Sequence, residues 1–129
     1  RKLAAAGEYY QAVQGGLATT KTMLAEQPEL VTKVVRAMLR ATRLIKSDKK
    51  FAIDFLKGPW VDLGKNADKI AARVYEAAGP DFLENGLVSE EVQRQMIADA
   101  SVRIKPKQPV PPEQVFDFSI VQKVGATLK

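Results

Sequence analysis

Between Pro28 and Ser47 the apolar residues recur at helical spacing. Val31, Val34, Val35, Met38, Ala41, Leu44 and Ile45 fall on one stripe, and Lys33, Arg36, Arg40 and Arg43 mark the opposite side. The pattern predicts a long amphipathic helix over about 28–47. Pro28 suits its first turn, where a missing N–H is not needed, and Glu29 favours the positive end of the helix dipole. Upstream, residues 3–6 read as a short apolar run, and 12–19 (AVQGGLAT) as an extended segment bent at Gly15-Gly16. Thr19 or Thr20 is placed to cap a short helix over 21–26.

Downstream, Asp48 is placed to cap a helix over 49–57 with Phe51, Ala52, Phe55 and Leu56 inward, ended by Gly58-Pro59. Asn66 is the expected cap of a helix over 67–78, with Ile70, Ala71, Val74 and Ala78 facing the core and Gly79-Pro80 as its stop. Asn85-Gly86 signals a turn. Ser89-Glu90-Glu91 opens a helix to about 101, striped by Val92, Met96, Ile97 and Ala100. The run KPKQPVPP over 105–112 holds four prolines and is expected to be extended. One turn over 113–116 and a last helix over 120–127 capped by Ser119 complete the reading. The predicted fold class is mainly α with one or two short strands. It is organised as a single unit over 1–129: a strand and crossover region over 1–20, a helical region over 21–104, and a Pro-rich crossing with the last helix over 105–129. Two short strands do not make a stable sheet alone, so these want neighbours.

Composition narrows the chemistry. The 129 residues include no cysteine and no histidine, which excludes disulfides, thiolate or imidazole metal sites, and Ser-His or Cys-His catalysis. No catalytic residue, metal site or cofactor is expected, and the chain is read as not an enzyme. A formal charge of +5 permits attraction to anions without selecting among them. The basic stripe has no stacking or base-reading residue interleaved with it, so it is read as a solvated face, with no nucleic acid as partner. The two PxxP spacings, Pro106–Pro109 and Pro109–Pro112, are read as a rigid crossing and not as a peptide ligand. Tyr10, Gln11, Gln14, Gly15, Gly16 and Thr19 combine an aromatic face, amide and hydroxyl groups and open backbone N–H groups, the makeup of a small-molecule cleft; the same residues also suit a connection between a strand and a helix, with one tyrosine in the core.

Taken in order, LAAAGEYYQAVQGGLATTKTMLAEQPELV (3–31), PELVTKVVRAMLRATRLIK (28–46), KSDKKFAIDFL (46–56) and VPPEQVFDFSIV (110–121) resemble the later part of the solute-binding proteins of ABC importers. The class is the one that handles nitrate, sulfonates, taurine and thiamine precursors. The resemblance implies the C-terminal portion of a two-lobed α/β periplasmic-binding-protein-like fold, in which the six residues above border the interlobe cleft. It also implies a small anionic or heteroaromatic solute, an ABC permease as partner and a periplasmic or other extracytoplasmic location. Arg1-Lys2-Leu3 leads into too few apolar residues for a signal-peptide core, so the chain is expected to be part of a longer protein. An unpaired strand over 12–19 predicts that the segment either drives self-association of the chain by pairing with a second copy or folds onto the helices. Two alternatives stand beside this reading: an independent helical interaction module, and a fragment of a thiamine-precursor synthase of the same fold.

Overall fold

The computed structural model describes residues 13, 15–59 and 62–128. It is mainly helical. The α-helices are α1 (Lys21–Glu26), α2 (Pro28–Ser47), α3 (Lys49–Leu56), α4 (Ala67–Ala78), α5 (Glu90–Ile104) and α6 (Ser119–Thr127). Short 3-10 turns occupy Gly64–Asn66, Gly79–Asp81 and Pro112–Gln114. The described residues contain no strand, in place of the one or two short strands expected; residues 12 and 14 of the expected extended segment and the apolar run over 3–6 lie outside them. Residues 15–20 are exposed and form no regular element, and Thr20 at their end has extended backbone dihedrals.

Local chemistry sets the helix boundaries. Thr20, not Thr19, caps α1, its hydroxyl accepting the Met23 N–H at 3.0 Å. Asp48 serves two helices. Its N–H donates to the Leu44 carbonyl at 2.9 Å to close α2, and its carboxylate accepts the Phe51 N–H at 2.8 Å to open α3. Ser89 accepts the Val92 N–H at 3.3 Å to start α5, which runs to Ile104, three residues beyond its expected end. Two expected caps do not form. Asn66 makes no side-chain cap, because the 3-10 turn over Gly64–Asn66 already feeds its backbone into α4. Ser119 is the first residue of α6, and its N–H is accepted by Asp117 at 2.9 Å. That bond, together with the Ser119 side chain, holds the Asp117 carboxyl below the ordinary carboxylate range. Gly79 keeps helical φ and ψ and passes α4 into a 3-10 turn in place of a left-handed stop.

The core is small. Val35 and Leu39 of α2 close on Val124 of α6, with Val31, Ile120, Val121 and Leu128 packed around them. Val124 is 1% exposed. Burying such a side chain contributes about 1.5–2 kcal/mol. The Asn85-Gly86 turn forms as predicted and lies against this core. Gly86 has φ 65°, and a Cβ there would stand 2.9 Å from Leu39 Cδ2 and 3.2 Å from Val121 Cγ1. Only glycine suits both the conformation and the space.

α3 and α4 also pack on each other, and each buries one small residue, Ala52 on α3 and Ala71 on α4, the latter with no exposed surface. Nearby, the Tyr75 hydroxyl donates to the Ile45 carbonyl at 3.1 Å, tying α4 to α2. α5 packs on no other helix and rests on the Pro112–Gln114 turn. Its predicted stripe, Val92, Met96, Ile97 and Ala100, is only half-buried.

Several residues expected to face a core are exposed: Val34, Met38, Ala41 and Leu44 on α2, Phe51 and Phe55 on α3, Ile70, Val74 and Ala78 on α4. The amphipathic helices carry wider apolar arcs than their neighbours cover. Phe51 and Phe55 stack on each other in the open, with ring centroids 6.2 Å apart.

Candidate functional site

The segment that enters α1 carries the expected binding residues. Gly15, Gly16 and Thr19 lie on one exposed, irregular run, and Leu17 beside them is 54% exposed. A Cβ added at Gly15 or Gly16 would meet nothing within 4 Å, so packing against described residues does not account for either glycine. No backbone hydrogen bond joins residues 15–19 to another described residue; the first is the Leu24 N–H to the Thr20 carbonyl, 3.1 Å. The two adjacent threonines differ in use. The Thr20 hydroxyl is taken up by the α1 cap, whereas the Thr19 hydroxyl is exposed and bonded to no described residue. Tyr10, Gln11 and Gln14 lie outside the described residues.

The three described candidates share a segment but line neither of two surface depressions. One, of 380 Å³, lies among Lys57, Pro59, Asp62, Leu63 and Ala67; the other, of 300 Å³, lies among Lys46, Tyr75, Glu76 and Pro80. Among the described residues no group of three or more acidic side chains is gathered for a metal ion, and no helix is long and apolar enough to cross a membrane.

The basic side of α2 divides into two groups, a split the helical periodicity does not reveal. Arg43 is half-buried and donates to the Leu128 carbonyl at 2.9 Å and the Glu84 carbonyl at 3.5 Å. Lys46 donates to the Phe82 carbonyl at 3.0 Å and stands 3.9 Å from the Glu84 carboxylate. These two clasp the 82–84 segment and the end of α6. Lys33, Arg36 and Arg40 are exposed and have no hydrogen-bond or ion-pair partner among the described residues.

The α3–α4 junction holds a tighter charge cluster. Asp54 accepts from Lys50 at 2.7 Å and Lys57 at 2.8 Å, and Lys57 also reaches Asp68 at 2.8 Å. The hydrogen bonds from Lys50 and then Lys57 hold the Asp54 carboxyl at about 2, and Asp54 followed by Asp68 raises Lys57 above the usual lysine value. The cluster lies at the surface, with Lys57 and Asp54 partly covered and Lys50 and Asp68 open to solvent, so it acts as a surface clamp on the α3–α4 turn.

No family model matches the chain, and neither a curated protein nor a solved structure matches it.

Proposed function

We propose that this chain is the later part of an extracytoplasmic solute-binding protein of an ABC importer, in the class that carries nitrate, sulfonates, taurine and thiamine precursors. The observation that carries the reading is the exposed, irregular run over 15–20, which makes no backbone hydrogen bond to the described residues before Thr20. It feeds through the Thr20 cap into the helical body. Such a segment has backbone groups to offer to a neighbouring strand on one side and a ligand on the other. Gly15 and Gly16 let an oxygen of the solute approach the main chain, and the Thr19 hydroxyl supplies a directional bond.

In this reading Tyr10, Gln11 and Gln14, outside the described residues, belong to the same binding segment, and a second lobe supplies the opposite wall. Capture follows from differential contact, because a solute that touches both lobes stabilises the closed form over the open one. The permease then receives the closed, loaded protein.

Calorimetry and thermal shift against nitrate, taurine, an alkanesulfonate and an aminopyrimidine test the reading. The expected result is stabilisation of the longer natural polypeptide by one of these solutes, weakened by Gly16→Val and Thr19→Ala, with weak or no binding by residues 1–129 alone. Tight binding by residues 1–129 alone, or no response of the longer polypeptide to any of the four, overturns it.

A second reading, an independent helical interaction module, is favoured by the lack of any strand among the described residues. A gene neighbourhood with a permease and an ATPase supports transport, and salt-sensitive retention on DNA supports a regulatory module.

A further inference from the structure

α2 is covered on only part of its apolar arc. Val35 and Leu39 face α6 and are buried, but Leu30 (47% exposed), Val34 (42%), Met38 (47%) and Leu44 (41%) form a second strip along the same helix. Positions 30, 34, 38, 41 and 44 follow one another at three- and four-residue spacing, so the strip is continuous over about 21 Å, four turns of helix. Lys33, Arg36 and Arg40 run along the edge of that strip away from α6, exposed and without a partner among the described residues. An apolar strip bordered on one side by a row of exposed cations defines the chemistry of what fits it.

We infer that this face of α2 docks an acidic amphipathic helix of a partner protein, its apolar ridge on Leu30, Val34, Met38 and Leu44 and its carboxylates along Lys33, Arg36 and Arg40. Two helices packed in this way place edge charges within reach of each other, as flanking positions do in coiled coils. Desolvated aliphatic contact supplies affinity, and the charged edge sets orientation and partner choice. The inference rests on α2 alone and is independent of which solute the 15–19 segment meets.

Other occupants fit less well. A two-fold antiparallel pairing of α2 with a second copy sets both cation rows on the same side of the interface, where they repel. A lipid surface favours large aromatic anchors, and the strip is aliphatic and methionine only. A nucleic-acid duplex would take the cations but leave the apolar strip bare, with no amide or aromatic side chain among residues 33–40 to read a base.

The test uses isotopically labelled full chain and two helical peptides of about 18 residues, matched to the strip's length. Both carry the same leucine ridge; one is edged with glutamate and the other with lysine. Amide shifts over 30–44 with the glutamate peptide, and weaker binding of the lysine peptide, are expected. The double variant Arg36→Glu/Arg40→Glu alters only exposed, unpartnered side chains, and retained helical circular dichroism confirms its fold. It should weaken the glutamate peptide about tenfold and strengthen the lysine peptide. No binding by either peptide, or equal binding of the two, overturns the proposal. So do concentration-dependent shifts over 30–44 without peptide, which mark a second copy, and selective binding to phosphatidylglycerol vesicles or duplex DNA with neither peptide engaged.

Discussion

Gly86 joins sequence to packing at a single residue. Its φ of 65° and the 2.9 Å approach to Leu39 impose two separate costs on any side chain. Left-handed backbone costs a non-glycine residue about 1–2 kcal/mol, and overpacking a core adds about 1–3 kcal/mol. Gly86→Ala is therefore expected to destabilise by about 2–4 kcal/mol in chemical unfolding; a change within error would contradict the packing described. Asp54 makes a prediction of a different kind. Its carboxyl is held at about 2 against an ordinary 3.8, so its ion pairs are in place above pH 3.8 and fade as the pH falls toward 2. Lys57 is shifted upward, so its contribution is complete below 10.5 and is lost only as the pH climbs through its folded value. Carboxyl resonances followed through an acid titration should show Asp54 ionising near 2, and Lys57→Met should return it toward 3.8. A wild-type midpoint already near 3.8 would remove the clamp.

At the scale of elements, the two sides of α2 are distinguished by substitution. Leu39→Ala removes a buried side chain and is expected to lose about 2–4 kcal/mol, whereas Met38→Ala next to it should cost under about 1 kcal/mol. Similar losses at both positions would mean that the open strip is covered. α6 offers a milder case: Asp117→Ala removes the acceptor that closes its first turn and is expected to cost about 1 kcal/mol. Helix positions were legible because their signals are local. Pro28, Asp48 and Ser89 act on backbone groups within four residues, and α1, α2 and α4 span their predicted ranges, α4 without a side-chain cap from Asn66 or a left-handed stop at Gly79. Which part of the α2 arc is covered was not legible, because α6 reaches it from some 80 residues away in sequence. For the same reason Leu39 fell outside the predicted stripe, and Arg43 and Lys46 gave no sign that they grip distant carbonyls. The openness of Gly15, Gly16 and Thr19 could be anticipated from glycine and threonine chemistry. The walls of a cleft around them are set by non-local packing, which periodicity does not encode.

At the scale of the molecule, the described residues bury little of their apolar surface. Five hydrophobic residues are buried among those described, while fifteen large ones are exposed. That imbalance is what a helical layer shows when its apolar faces are meant for other surfaces, whether a lobe of the same protein or a docked helix. The denaturant slope reports this most directly, because it scales with the surface that unfolding newly exposes. In urea, with a monomer verified by sedimentation, the chain is expected to give a slope below the roughly 1–3 kcal/mol/M of compact small proteins, and a stability below about 5 kcal/mol. A monomer with a slope well inside that range and a stability near 10 kcal/mol would contradict the account, since it would require a closed interior that these helices do not form.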